Sequence, residues 1–413
     1  MPELPDRLPA GEPLLSVAIG WDLDSLTLDP VGSADVHGDG HRTMSPAGWL
    51  RADLSEGAVR ARSYRAGDED WTLRLAARET LVVSGRDGSI NDTRRAFVWR
   101  GKTWRGEARV FVNPRGKLTL VTRLPLETYL LGVVPYEIGQ LGDDLIEAGR
   151  AQAVAARTYT LFYRGRRAAE GFDLYGTVED QVYGSLEGEK PYASRCVLST
   201  SGLVARWEGQ PIRANYSSTC GGMMANVWEA WPVDPLPYLT SHADAPETVA
   251  GDSIAREAFC AASPHFRWRE EWSAREILAN LRKYGPTFSV PLPSGGLGQL
   301  LDVQVGERSS SGRVWRLTVT TTTGSVVIPA YSLRQVLRRG GKPDAILRSN
   351  LFKIDVRRDH RSGRSLAVVA SGAGSGHGVG LCQTGALGMA RAGYRGEDIL
   401  RHYYRGVELK RLY

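Results

Sequence analysis

At Pro125 the spacing of apolar residues changes period, and that change constrains the fold more than any other feature of the chain. Before it, VWRGKTWRGEARVFVNPRGKLTLVTRL alternates aromatic and β-branched residues with Arg and Lys, and NPRG at 113–116 supplies a turn. After it, PLETYLLGVV places Leu126, Tyr129, Leu130 and Val133 at helical spacing. Pro125 suits the first turn of that helix, and Pro135 is expected to stop it. A strand-rich stretch followed by helical periodicity predicts an α+β protein.

The rest of the chain divides by the same reasoning. Residues 1–13 read as a Pro/Gly-rich tail and 14–120 as a β-rich N-terminal module. Residues 121–250 read as the first part of a mixed helix/strand core with a long central helix, from about Asp144 to Glu170. The alanine-rich side of that helix (Ala148, Ala151, Ala155, Ala156) would let another element approach its backbone closely. Strand character returns over 197–220, where EGQP signals a hairpin. Residues 251–350 read as an inserted α+β unit: a helix in WSAREILANLRKYG, a hairpin around SSSGR and a helix in YSLRQVLRRGG. Residues 351–413 complete the core with the glycine-rich SGAGSGHGVGLCQTGALGMA and a last helix, GEDILRHYYRG, ending at Gly406.

Composition removes several function classes. With 42% hydrophobic and 24% charged residues the chain is neither disordered nor a coiled coil. A net charge of +6 over 413 residues is modest, and no Lys/Arg run marks a nucleic-acid arm. No apolar run reaches the roughly 18 residues of a membrane span. The start, MPELPDRLPAGEPLL, lacks a basic segment followed by an apolar one, so no signal peptide is expected in this chain. Cys196, Cys220, Cys260 and Cys382 form no CxxC or Cys/His cluster, which argues against a zinc ribbon or finger. One or two disulfides and four unpaired thiols both fit.

Three stretches could carry chemistry. GVVPYEIG, residues 132–139, sets Glu137 in a loop among Val133, Val134, Tyr136 and Ile138. Such a carboxyl either points into water or is kept protonated by desolvation, ready to donate a proton. In NYSSTCGG, Ser217, Ser218 and Thr219 offer hydroxyls, and Gly221 and Gly222 an uncovered backbone suited to a polyhydroxylated ligand; a polar strand end with a tight turn is the plainer reading. The alternating glycines 372–380 match neither a dinucleotide fingerprint nor a phosphate loop, and they leave His377 with little side-chain cover, as in a groove. Arg157, on the alanine-rich helix, needs a carboxylate partner or a cleft; Glu137 is its natural neighbour.

In order along the chain, LPLETYLLGVVPYEIG, QAVAARTYTL, NYSSTCGG, PYL at 237–239, SGRV and GHGVGLCQTGALGMA resemble the SpoIID/LytB family of bacterial cell-wall proteins, over roughly residues 95–413. The resemblance implies a lytic transglycosylase that cleaves peptidoglycan glycan strands, with the Glu of VPYE, Glu137, as its catalytic acid. It also implies that Arg157, Ser218, Gly221, Gly222, His377 and Gln383 bind substrate, and that Glu137, Arg157, Ser218 and His377 line one cleft. The LytB side of the family implies an alternative, a non-enzymatic wall-binding protein that modifies a partner amidase. Implied partners are glycan strands and a wall amidase or other wall enzymes, in an extracytoplasmic setting. Some members bind zinc through Cys and His near this strand. Ser217 stands where family members often carry the histidine, so no metal or other cofactor is expected. That setting implies an oxidising compartment, and FCAASPHFRW, just beyond PYL, is expected to fold back near NYSSTCGG, which puts Cys220 and Cys260 close enough to bond.

Overall fold

In a computed structural model, which describes residues 11–30, 34–38, 41–45, 48–64, 75–77, 80–85, 95–249, 251–359 and 365–413, the strand Leu118–Pro125 joins the two patterns seen in the sequence. It pairs antiparallel with Leu14–Leu23 on one side and Glu107–Val112 on the other, then runs straight into helix α1 (Leu126–Ile138). The expected boundary at residue 120 therefore falls inside a shared strand. Most of the expected N-terminal tail, residues 1–10, lies outside the described residues.

The chain forms two compact units, Met1–Arg213 with Glu408–Tyr413, and Ala214–Val407. In the first, among the described residues, a seven-stranded and a six-stranded sheet bury their alternating apolar residues in one core. Leu28, Leu50 and Phe97 come from one sheet, and Val110, Leu118 and Leu120 from the other. The α+β class predicted from the sequence is the class observed.

α1 does not stop at Pro135. It continues to Ile138 and ends at Gly139, which takes a left-handed φ of 78°. A proline here costs the helix about 3 kcal/mol. Burial of Val133, Val134 and Ile138, at about 1.5–3 kcal/mol each, outweighs that. Helix α2 (Ile146–Tyr163) ends seven residues before the expected Glu170, because Gly165 turns the chain with φ 77°. Its small-residue face admits α3 (Pro191–Ser199): a Cβ at Gly149 would come within 2.5 Å of Cys196 Sγ. Residues 197–199, expected as strand, close α3 instead. The EGQP hairpin follows, with Trp207 opposite Gln210.

In the second unit, the helices and hairpin expected from the sequence form at Ala274–Tyr284, Leu300–Arg308 with Val314–Thr321, and Ala330–Leu337. Ser273 and Glu276 make a reciprocal cap at the first of these helices. Their core does not end at residue 350, however. Phe352, Val368 and Ala370, from the strands Phe352–Arg358 and Ser365–Ala373, pack in the same cluster as Trp272, Leu317 and Leu333. The segment NYSSTCGG and the glycine-rich loop meet as a short parallel pair, Tyr216–Ser217 beside Leu381–Cys382.

Candidate active site

Glu137 and Arg157 belong to the first unit, and Ser218, Gly221, Gly222, His377 and Gln383 to the second. Glu137 lies in the last turn of α1 rather than in a loop. Apolar residues cover almost the whole circumference of α1 up to Pro135, so the helix is a core element. Only at its end does it reach the surface, where Tyr136 is exposed and Glu137 half-buried. The last turn of α1 itself carries no basic residue, and Glu137 sits at the negative end of the helix. One carboxylate oxygen accepts a hydrogen bond from the Val182 N–H at 3.2 Å. The 181–184 segment that aims this N–H is itself fixed: Gln181 Oε1 accepts from the Thr160 hydroxyl at 2.6 Å, and Gly184 N–H donates to Gly132 O at 2.9 Å.

Arg157 is placed differently from the expectation. Its guanidinium is 0% exposed and pairs with Glu127, not Glu137: Nε donates to Glu127 Oε1 at 2.7 Å and Nη2 to Oε2 at 2.5 Å. Further bonds reach the carbonyls of Leu203 and Val197. Glu127 also accepts from the Gly202 N–H and the Tyr413 hydroxyl. With its donors committed inside the unit, Arg157 has no surface for a sugar. The pairing follows from helix geometry: Glu127 occupies the first turn of α1, while Glu137 is at the far end.

This buried network sets a pH dependence. Burial is the main cause that pushes the Glu12 carboxyl from 4.5 up to about 7, against the hydrogen bond from the Glu127 N–H, and repulsion from the Glu127 carboxylate adds to the rise. Burial would raise Glu127 as well, but the charge and hydrogen bonds of Arg157 outweigh it and hold that carboxyl below its usual range. The folded value of Glu12 lies above its unfolded one. Its contribution to stability is therefore complete below 4.5 and lost as pH rises through about 7. Glu127 acts in the opposite sense, stabilising above the ordinary carboxylate range and losing that contribution in acid. Glu12→Gln is thus expected to melt higher than the parent at about pH 8 and to lose that advantage near pH 5. Melting curves with a pH-independent difference would contradict this assignment.

In the second unit the alternating glycines approach protein, not an open groove. A Cβ at Gly380 would lie 2.0 Å from Asn215 O, and one at Gly378 2.1 Å from Arg313 Nη2. Both glycines have left-handed φ, so backbone and space each exclude a side chain. Gly221 and Gly222 are buried, and a Cβ on Gly221 would strike the backbone of Ala373 and Gly374. The uncovered backbone expected there is covered by the glycine loop. Gln383, the first residue of helix Gln383–Arg391, is buried too.

Ser218 and His377 are half-buried. His377 Nδ1 accepts from the Val379 N–H at 3.0 Å, and its ring lies 4.7 Å from that of Trp231. Both rings line a cleft of about 140 Å³ with Glu229, Tyr331, Arg334 and Asn350.

The cysteines show a pattern that the sequence hid. Cys220 and Cys260 are close, as expected, with their sulfurs 3.6 Å apart, but all four cysteines are free. Cys382 and Asp244 converge on the same point, each offering a donor atom within 4.8 Å of the others.

Comparison with known proteins fits the same segments. A family model described as Stage II sporulation protein (SpoIID) matches residues 114–207. Stage II sporulation protein D of Bacillus amyloliquefaciens is 29% identical over 306 residues, which cover 70% of this chain and 75% of that one. The amidase enhancer of Bacillus subtilis (strain 168) is 28% identical over 308 residues, covering 68% of this chain and 40% of that one. These matches make the chain similar to the SpoIID/LytB family. An uncharacterized protein of Brachyspira hyodysenteriae is 26% identical over 343 residues, covering 81% and 80%. A second family model, a domain of unknown function (DUF8618), matches residues 225–380.

The two matched segments divide the candidates. Glu137 and Arg157 fall in the first, while His377 falls in the second together with Trp231, Tyr331 and Arg334. These last three carried no signal in the sequence: each looks like one more aromatic or arginine in a patterned segment. Asp244 was equally silent, because SHADAP has neither period nor motif.

Proposed function

We propose that this protein acts on the bacterial cell wall by cleaving peptidoglycan glycan strands, with Glu137 serving first as acid and then as base. The carboxyl protonates the oxygen that links N-acetylmuramic acid to N-acetylglucosamine, and the bond from the muramoyl C1 to that oxygen breaks. The resulting carboxylate then takes the proton of the muramoyl C6 hydroxyl, whose oxygen closes on C1 as a 1,6-anhydro ring. The proton that was given is regained, and no water is consumed. One carboxyl suffices because the sugar supplies the nucleophile, unlike the paired carboxylates of ordinary glycosidases.

The observation that carries this reading is the position of Glu137. It is a half-buried acid at the end of an otherwise buried helix, inside the SpoIID match, with one oxygen fixed by the Val182 N–H. Within the second unit, Ser218 and His377 offer polar groups of the kind that bind sugar hydroxyls, and the Trp231 ring beside His377 an apolar face. Glycan strands lie outside the cytoplasm, and the reading places the protein there.

The decisive experiment is mass spectrometry of purified glycan strands incubated with the protein. Muramic ends in the 1,6-anhydro form are expected. Reducing muramic ends would mean hydrolysis by water and would replace the lytic mechanism. The amidase-enhancer relative supports a second reading, a wall-binding protein that modifies a partner amidase. Intact strands together with a faster amidase would establish that reading instead.

A further inference from the structure

Four donor atoms that the proposed reaction does not use converge inside the second unit. The sulfurs of Cys220, Cys260 and Cys382 and a carboxylate oxygen of Asp244 lie within 4.8 Å of one another, and all four residues are buried. We propose that they form a closed zinc site, which fastens NYSSTCGG to the start of helix Gln383–Arg391 and to the segments carrying Asp244 and Cys260. The proposal does not depend on the reaction assigned to Glu137.

The geometry fits a tetrahedral ion. Zinc bonded to thiolates at about 2.3 Å holds two sulfurs about 3.8 Å apart, and a sulfur and a carboxylate oxygen about 3.5 Å apart. Cys220 Sγ stands 3.6 Å from Cys260 Sγ and 3.1 Å from Asp244 Oδ2. Three soft thiolates with one carboxylate suit zinc, whereas calcium and magnesium require oxygen donors. The set contains no histidine, so it differs from the Cys/His sites implied by the family. It departs from the expectation, based on Ser217, that the chain holds no metal.

The surroundings are arranged for thiolates. Cys382 Sγ accepts backbone N–H bonds from Cys220 at 3.2 Å and Gly385 at 3.3 Å, and Cys220 Sγ accepts one from Gly222 at 3.4 Å. Asp244 Oδ1 accepts from the Tyr403 hydroxyl at 2.7 Å, which leaves Oδ2 turned toward Cys220 as a single donor. Such outer bonds orient and stabilise metal ligands. Asp244 is 0% exposed, and the basic group paired with it, His402 Nε2, stands 3.8 Å away. A cation at the centre supplies the compensating charge that a buried carboxylate requires. Four protein donors leave no open position, so the site is structural rather than catalytic.

The test is elemental analysis of the full chain purified without chelator, then cobalt substitution. About one zinc per chain is expected, and the cobalt form should show the intense visible bands of a tetrahedral thiolate complex. Cys382→Ser and Asp244→Asn should each lower zinc content at least about tenfold. Cys196→Ala, in the first unit, should leave it unchanged. No metal in the parent protein after reconstitution with zinc would overturn the proposal, and so would stoichiometric iron or a Cys220–Cys260 disulfide found by non-reducing peptide mapping. Because the parent protein's metal content decides the matter, the test survives a variant that fails to fold.

Discussion

Glu137→Gln should abolish 1,6-anhydro products while leaving the melting temperature essentially unchanged. The substitution keeps the size of the side chain and an oxygen able to accept from the Val182 N–H, the 3.2 Å bond that holds the acid. It removes both the proton that the first step donates and the carboxylate that takes the C6 hydroxyl proton in the second. General acid–base contributions run to about 10²–10⁴-fold, and here one group performs both steps, so the loss should reach at least that range. Product formation measured by mass spectrometry, with circular dichroism melts of both proteins, separates the outcomes. Full activity in the Gln variant would transfer the acid role to another residue. Lost activity with a collapsed melt would assign Glu137 a structural role instead.

Arg157→Met should produce the largest loss of stability among single substitutions in α2. Breaking a buried ion pair by removing one partner costs about 3–5 kcal/mol, because the remaining charge stays buried. Here that charge is Glu127, only 2% exposed and left with the Gly202 N–H and the Tyr413 hydroxyl. Adding Glu127→Gln to Arg157→Met should recover part of the loss, since no charge then remains unpaired. Urea unfolding of the single and double variants measures both terms. A loss below about 1 kcal/mol, accompanied by weaker glycan binding, would return Arg157 to the list of substrate residues.

The elements that the sequence predicted well are those whose signals are local. The helix in WSAREILANLRKYG, the hairpin at SSSGR and the start of α1 at Pro125 each depend on neighbours within a few residues. The end of α1 was misread because Pro135 has a local meaning that tertiary burial overrides. The partner of Arg157 was misread for a related reason: an acid in a first helical turn is ordinary, and nothing local marks Glu127 as buried. The Cys/Asp cluster lay beyond this kind of reading altogether. Its donors come from four segments of the second unit, and only the fold makes them neighbours. Within the candidate site, the sequence singled out Glu137 but could not tell that Gly221, Gly222 and Gln383 would be covered.

The strand Glu408–Arg411 pairs with Leu203–Trp207 in the first unit, although the whole of Ala214–Val407 separates them in sequence. A ribosome adding roughly 5–20 residues per second needs on the order of 10–40 s to cross that interval. Throughout it, Leu203–Trp207 presents one unpaired edge, and the buried Glu127 lacks the Tyr413 hydroxyl. An open edge of this kind is a template for pairing with other chains. Nascent or truncated molecules that stop short of residue 408 are therefore the species most exposed to aggregation, and a chaperone that shields strand edges would act during that window.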